Sequence, residues 1–297
     1  MGMSKYFYNI IYAVTGKQKD ESKDFLKRAR DLMLPRVLNP RDKHNYKDAE
    51  FFRYSIQYVL GYTRFALSED RAHGESSVQR VYLTRASHGY VAFLELAYAG
   101  GLDFEEMKKI IPEMLDAIAY CDPLYQETAY LKKHNHVLDL TPFYFSAFFA
   151  LAFFVALRRN KEDISQLLVA TGEAGQDQLY DRVVQRIDPD RDIGPKIKIA
   201  PHYNLLVEAM DAEPTAQTQL LVRFLDGWYE KICKLSEAHN THLREAYTGY
   251  FSYEAAAVVM LWDIDDSAFR DHPYYPDALV DYYRKTGSQG IQEPCAE

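Results

Sequence analysis

One stretch constrains the chain more than any other. Pro142–Leu157 reads PFYFSAFFALAFFVAL, sixteen residues without a charge. A helix that is apolar on every side must be covered on every side. Crossing a bilayer takes ~20 apolar residues, and this run is shorter and stands alone. Burial at the centre of a protein body is therefore the expectation, with no membrane partner. The remaining chain must supply the cover. It has 297 residues, 47% hydrophobic and 26% charged, enough for a sizeable core. The same balance excludes disorder as the main state. Cys121, Cys233 and Cys295 are too few, and odd in number, for a disulfide scaffold. A reducing compartment follows, and the N-terminal residues agree with it. Tyr6–Val14 is interrupted by Asn9, follows a single Lys5 and lacks a small-residue cleavage site, so no secretory signal is expected. The expected location is the cytoplasm.

Helical periodicity runs through most of the chain. Ala49–Ser68 and Ser76–Ala99 place apolar residues three and four apart, and the second stops at Gly100-Gly101. Asp103 reads as a helix cap with Glu106 as its partner, and Pro112 marks a restart. Pro123 and Pro142 each open a further helical stretch, and Asn160 caps another. Residues 188–201, DPDRDIGPKIKIAP, form a loop. Helix returns over His202–Asp211 and restarts at Pro214 into an amphipathic Gln217–Ser236. Tyr247–Trp262 is apolar and helical, Asp263–Pro276 is rich in turns, and a last helix follows. Strand alternation is nearly absent. The reading is an all-α fold, a compact multi-helix body with a buried apolar central helix and no significant sheet.

Charge is unevenly spread. The chain carries −8 overall, but residues 1–48 carry +5 and residues 203–297 carry −9. So acidic a C-terminal third repels nucleic acid and attracts a basic partner. Aromatic residues are abundant, with 24 Tyr, 16 Phe and 2 Trp. Tyrosine beyond the needs of a core suits an interaction surface, a homodimer included.

Catalytic patterns are mostly missing. Asp188, Asp190 and Asp192 begin like a calcium loop, but Ile193 and Ile199 stand where Gly and Glu are required. His134-Asn135-His136 has the letters of a nuclease motif without its hairpin context. His239, His242 and Glu245 would share one face if helical, which leaves a metal-dependent helical enzyme as an alternative. A helical scaffold is the other alternative. No nucleotide-binding glycine loop, nucleophile elbow or paired-cysteine motif occurs, so no cofactor is expected. Glu254 lies in an otherwise apolar helix. A carboxylate there needs Arg, His or several hydroxyls, and reads as a clamp to another helix.

Two segments carry a resemblance. Gly249-Tyr250-Phe251-Ser252-Tyr253-Glu254-Ala255-Ala256-Ala257 is followed by Ile264-Asp265-Asp266-Ser267-Ala268-Phe269-Arg270-Asp271-His272-Pro273-Tyr274-Tyr275-Pro276. Together they resemble the C-terminal signature of PoNi-type immunity proteins. The apolar run at 142–157, Gly175-Gln176-Asp177, Leu205–Asp211 and Phe224–Trp228-Tyr229 follow the order of that family. Relatives commonly carry Trp where Tyr250-Phe251 stand here.

The resemblance implies a two-part all-α protein, divided here as 1–138 and 139–297, with the signature in the second part. It implies a non-enzymatic immunity protein that neutralises a cognate PoNe-type nuclease toxin, often one delivered by type VI secretion. Glu254, Asp265, Asp266, Pro273, Tyr274, Tyr275 and Pro276 would be the structural signature. Contact with the toxin would fall elsewhere, because each immunity protein must match one toxin. A nuclease presents a basic groove, so Asp188, Asp190, Asp192, Asp211, Glu213, Glu237 and Glu245 are the candidate toxin-binding residues.

Overall fold

In a computed structural model the described residues are 26–35, 38–73, 89–126, 141–157, 159–171, 174–199, 201–235, 238–244 and 247–288. Every regular element among them is helical. From residue 49 on, eleven α-helices follow in order among the described residues: α1 Ala49–His73, α2 over residues 89–99, α3 Phe104–Lys108, α4 Ile111–Gln126, α5 Thr141–Ala156 and α6 Lys161–Thr171. After these come α7 Gln178–Gln185, α8 Asn204–Asp211, α9 Pro214–Trp228, α10 Tyr253–Trp262 and α11 Asp277–Ser288. The all-α expectation holds. So does the buried apolar helix: from Tyr144 to Ala156 only Ser146 and Phe149 of α5 escape full burial. No helix among the described residues is long and apolar enough to cross a membrane.

Local chemistry explains most boundaries. The end of α2 is a full Schellman motif, with Leu102 N–H on Ala97 O at 2.8 Å and Gly101 N–H on Tyr98 O at 3.0 Å. Gly101 sits there at φ +78°, where a side chain would be strained and would also strike the carbonyl of Asn39. Asp103 caps α3 through Glu105 N–H rather than through a box with Glu106, whose carboxylate pairs with Lys109 instead. Asn160 accepts from Asp163 N–H at 2.8 Å and opens α6. Pro214 opens α9.

Three sequence expectations are corrected. Pro123 does not open a helix; it lies within α4, which runs on to Gln126. The amphipathic Gln217–Ser236 stretch is α-helical only to Trp228, then widens into a π-turn at Tyr229–Cys233. Tyr247–Trp262 is not one helix. Ser252 caps α10 by accepting from Ala255 N–H, so helix begins at Tyr253 and 247–252 has no regular structure, with Gly249 at φ +96°. Periodicity cannot find that start, because the residues on both sides of Ser252 are equally apolar.

The chain forms two compact units interleaved in sequence. The first comprises 1–147, 166–173 and 233–250; the second comprises 148–165, 174–232 and 251–297. In the first, Arg41 donates to the carbonyls of Tyr98 and Leu102, both at 3.0 Å, with its guanidinium over the Phe104 ring. This satisfies carbonyls at the end of α2. Arg64 of α1 forms a fork onto Glu113 of α4 at 2.8 Å, and Glu113 also receives the Tyr90 hydroxyl at 2.6 Å. Cys233 is buried.

The second unit is built around α10, whose residues Tyr253–Met260 are all buried. Phe149 and Phe153 of α5 pack on the Tyr253 ring at 5.0 and 4.8 Å between centroids. Helix α8 packs along α9, and α11 along α10. Asp263, in the left-handed region at φ +51°, ends α10.

Candidate interaction surface

The loop between α7 and α8 carries three of the candidate acids, and buried chemistry holds it in shape. Asp177 caps α7, accepting from Tyr180 N–H at 2.8 Å and, on its other oxygen, from Lys198 N–H at 2.8 Å. One turn on, Asp181 is completely buried. Its Oδ2 accepts the N–H groups of Gln176, Asp177 and Gly194 at 2.9, 3.0 and 3.0 Å, and its Oδ1 accepts the Arg191 guanidinium at 2.8 Å. Arg191 is buried as well and lies over the Tyr180 ring. Gly194 must be glycine, since a Cβ there would sit 2.4 Å from Asp177 N. A loop that looks like plain solvated acid in sequence is thus pinned at both ends to α7.

With its buried side spent on this clamp, the loop turns its other residues to solvent. Asp190 and Asp192 are exposed, with no ion pair among the described residues. Asp188 is half-buried and lies 3.6 Å from Lys161. Asp211, at the end of α8, takes both arms of the Arg182 guanidinium, one at 2.8 Å. That fork holds the Asp211 carboxyl below the usual carboxylate range. It also ties α8 to α7, the helix that launches the acidic loop. Glu213 is exposed at the start of α9 and makes no cap with its side chain. Glu237 and Glu245 lie outside the described residues.

The signature residues form two polar knots inside the second unit. Glu254 is fully buried, accepting the Tyr203 hydroxyl at 2.6 Å and the Ser252 hydroxyl at 3.1 Å. Burial pushes its carboxyl well above the ordinary range, opposed by those hydroxyls. The Trp228 indole faces the same carboxyl and adds a weaker pull, short of hydrogen-bond geometry. Among the described residues Glu254 therefore meets hydroxyls and no cation. Tyr203, which stands just before α8, is the partner that sequence reading did not name.

Asp266 is the second knot. It is buried and takes Arg284 at 2.6 Å, Arg270 at 3.2 Å and the Tyr275 hydroxyl at 3.0 Å. Burial and the Asp266 carboxylate raise the Tyr275 hydroxyl far above its ordinary range. Asp265 beside it is exposed and simply closes a turn on Ser267. Pro273 and Pro276 bracket the turn, and Pro276 is buried. Tyr274 stacks on Tyr229 at 5.5 Å and leans on Trp228 at 5.3 Å, while its carbonyl accepts Ser252 N–H at 2.7 Å. The turn and the cap of α10 are thereby joined.

Residues 175–279 match the family model described as PoNe immunity proteins (PoNi), C-terminal. The matched stretch contains the acidic-loop clamp, the Glu254 knot and all of the Asp266 knot except Arg284. This agrees with the resemblance read from the signature. It also holds 18 acidic against 10 basic residues, a net −8 equal to that of the whole chain. No curated protein matches the chain in sequence. Among solved structures, the crystal structure of protein PA2201 from Pseudomonas aeruginosa is similar with a TM-score of 0.65 at 18% identity. The likeness covers 92% of this chain and 100% of that one. At that identity it shows the fold alone.

The alternative chemistry fares differently. His239 and His242 do not share a helical face: His239 is in a turn and His242 in a short 3-10 turn, Thr241–Leu243. Glu245 and His134-Asn135-His136 lie outside the described residues. Among the described residues no three His, Cys, Asp or Glu side chains gather as metal ligands.

Proposed function

We propose that this protein is a cytoplasmic immunity protein that binds a cognate nuclease toxin, one equivalent to one, and occludes its active cleft. It acts by binding, without a cofactor of its own and without touching nucleic acid. The match of 175–279 to the PoNi C-terminal family carries the reading. The acidic character of that same stretch supports it. A DNA- or RNA-cleaving toxin offers a basic groove, and an opposed acidic surface steers association and rejects like-charged partners. Asp188, Asp190, Asp192, Asp211 and Glu213 are the proposed contacts within the described residues, with Glu237 and Glu245 completing the set. A loop whose shape is fixed before binding loses little entropy on docking. Delivery of the toxin by type VI secretion is the proposed setting.

The test is a nuclease assay on the product of the adjacent gene. Activity alone that stops at one equivalent of this protein, with co-expression protecting cells, supports the proposal. Absence of binding and of protection leaves only the fold in common with the family, and the scaffold reading replaces it.

A further inference from the structure

The loop between α7 and α8 buries an ion pair and leaves apolar residues in water, the reverse of ordinary burial. We infer that Ile193 of this loop is the anchor by which the protein selects its partner: it enters an apolar pocket beside the basic groove of the nuclease, while Asp190 and Asp192 meet the basic rim. That partner is the nuclease toxin of the proposed function, on which this assignment rests.

The outward position of Ile193 is enforced by the backbone. Asp181 and Arg191, the ion pair, are 0% and 9% exposed, whereas Ile193 is 42% exposed. Both peptide groups that flank Ile193 are engaged: the Asp192 carbonyl accepts Gly175 N–H at 2.9 Å, and Gly194 N–H donates to the Asp181 carboxylate at 3.0 Å. Further along each arm, the Arg191 carbonyl accepts the Gln185 amide at 3.1 Å, and the Lys196 carbonyl accepts Gln178 N–H at 3.0 Å. With the chain held on both sides, the Ile193 side chain cannot turn inward without breaking these bonds. Pro189 and Pro195 are exposed in the same loop, and Ile197 is only half-buried.

For the free protein this arrangement is wasteful. A buried ion pair forfeits its hydration, and apolar residues of similar size commonly hold a site as well. An isoleucine left in water forfeits the burial that its side chain offers. Departures of this kind gather at functional sites. An apolar residue beside exposed acids has the anatomy of an interface, in which a desolvated anchor sits inside a charged rim. Charge then selects the occupant. Lys196 and Lys198 follow Gly194, yet the matched stretch 175–279 carries −8 as a whole. A second copy of this chain is repelled by that charge and a basic partner is drawn to it. Because the loop is shaped before contact, the anchor docks with little ordering cost.

The test measures association and dissociation of the full-length protein with the product of the adjacent gene. Ile193→Ala should associate within about twofold of the native rate and dissociate at least about tenfold faster, since a lost anchor acts on residence time and not on steering. Val169→Ala, at a residue of α6 that is 67% exposed, should leave both rates unchanged. Dissociation of Ile193→Ala within about twofold of native overturns the anchor and leaves the nuclease reading standing. A native chain that neither binds nor inhibits the gene product overturns both. A native dimer in light scattering that Ile193→Ala converts to monomer gives the surface to a second copy, and the assignment falls. If Ile193→Ala unfolds early, Ile193→Thr, which keeps the branched shape, decides by the same dissociation ratio.

Discussion

Removing the Glu254 carboxyl and replacing it with an amide should have very different consequences. Glu254→Ala deletes the acceptor of two buried hydroxyls, those of Tyr203 and Ser252. Ser252 keeps its bond from Ala255 N–H, so Tyr203 is the group left most exposed to loss. A buried polar group without a partner costs about 1–3 kcal/mol. The cavity adds roughly 24 cal/mol per Å³ that fails to close, about 1 kcal/mol for the atoms removed. Glu254→Ala should therefore cost about 2–4 kcal/mol. Glu254→Gln keeps shape and an acceptor for Tyr203, while its NH₂ can donate to Ser252 Oγ. If the native carboxyl is neutral, that exchange should cost under ~1.5 kcal/mol. The two states also differ in pH dependence. The folded-state pKa lies above the unfolded one, so the folded protein holds the extra proton between them. Stability is then greatest below the unfolded value near 4.5 and falls as pH rises through the window, by up to ~1.4 kcal/mol per pH unit. Urea denaturation followed by circular dichroism at pH 5, 6 and 7 reads both effects. The difference between the native chain and Glu254→Gln isolates this one group. A Glu254→Gln variant as damaged as Glu254→Ala, or one whose pH slope matches the native chain, would refute the neutral-carboxyl argument.

Other outcomes follow from the same structure. Asp181→Ala should strand the buried Arg191 charge and free three backbone N–H groups, costing about 3–5 kcal/mol in urea midpoint and m-value analysis. Ala150→Asp, at a site 1% exposed in α5, should give little folded protein on gel filtration, since a buried unpaired charge costs several kcal/mol. Asp190→Lys with Asp192→Lys should leave thermal stability within ~0.5 kcal/mol yet slow association with the toxin, measured by stopped flow, by about tenfold at low salt and less at high salt. Asp211→Asn should cost under ~1 kcal/mol in the same denaturation assay, because the side chain paired with Arg182 is largely exposed.

Sequence alone settled the class of fold. A sixteen-residue uncharged run shorter than a bilayer leaves few solutions other than a helix wrapped by helices, and the caps at Gly101, Asp103, Asn160 and Pro214 are local chemistry read locally. The need of Glu254 for partners was equally legible, because a lone acid among alanines and valines has no other way to pack. Its partner was not. Tyr203 lies 51 residues away, and no periodicity joins the two. The acidic loop shows the same limit. Asp177, Asp181 and Arg191 are spaced like any solvated charges, and only folding turns them inward while Asp190 and Asp192 face out. Asp266 gathers Arg270 four residues on and Arg284 eighteen residues on; only the nearer spacing is a helical one. The start of α10 was misplaced because hydrophobicity is uniform across it, and the Ser252 hydroxyl decides the boundary through a single hydrogen bond. Sequence fixes what must be buried or satisfied, since hydrophobicity and hydrogen-bonding capacity belong to each residue. Which group does the satisfying is a property of distance in space, and only the tertiary structure decides it.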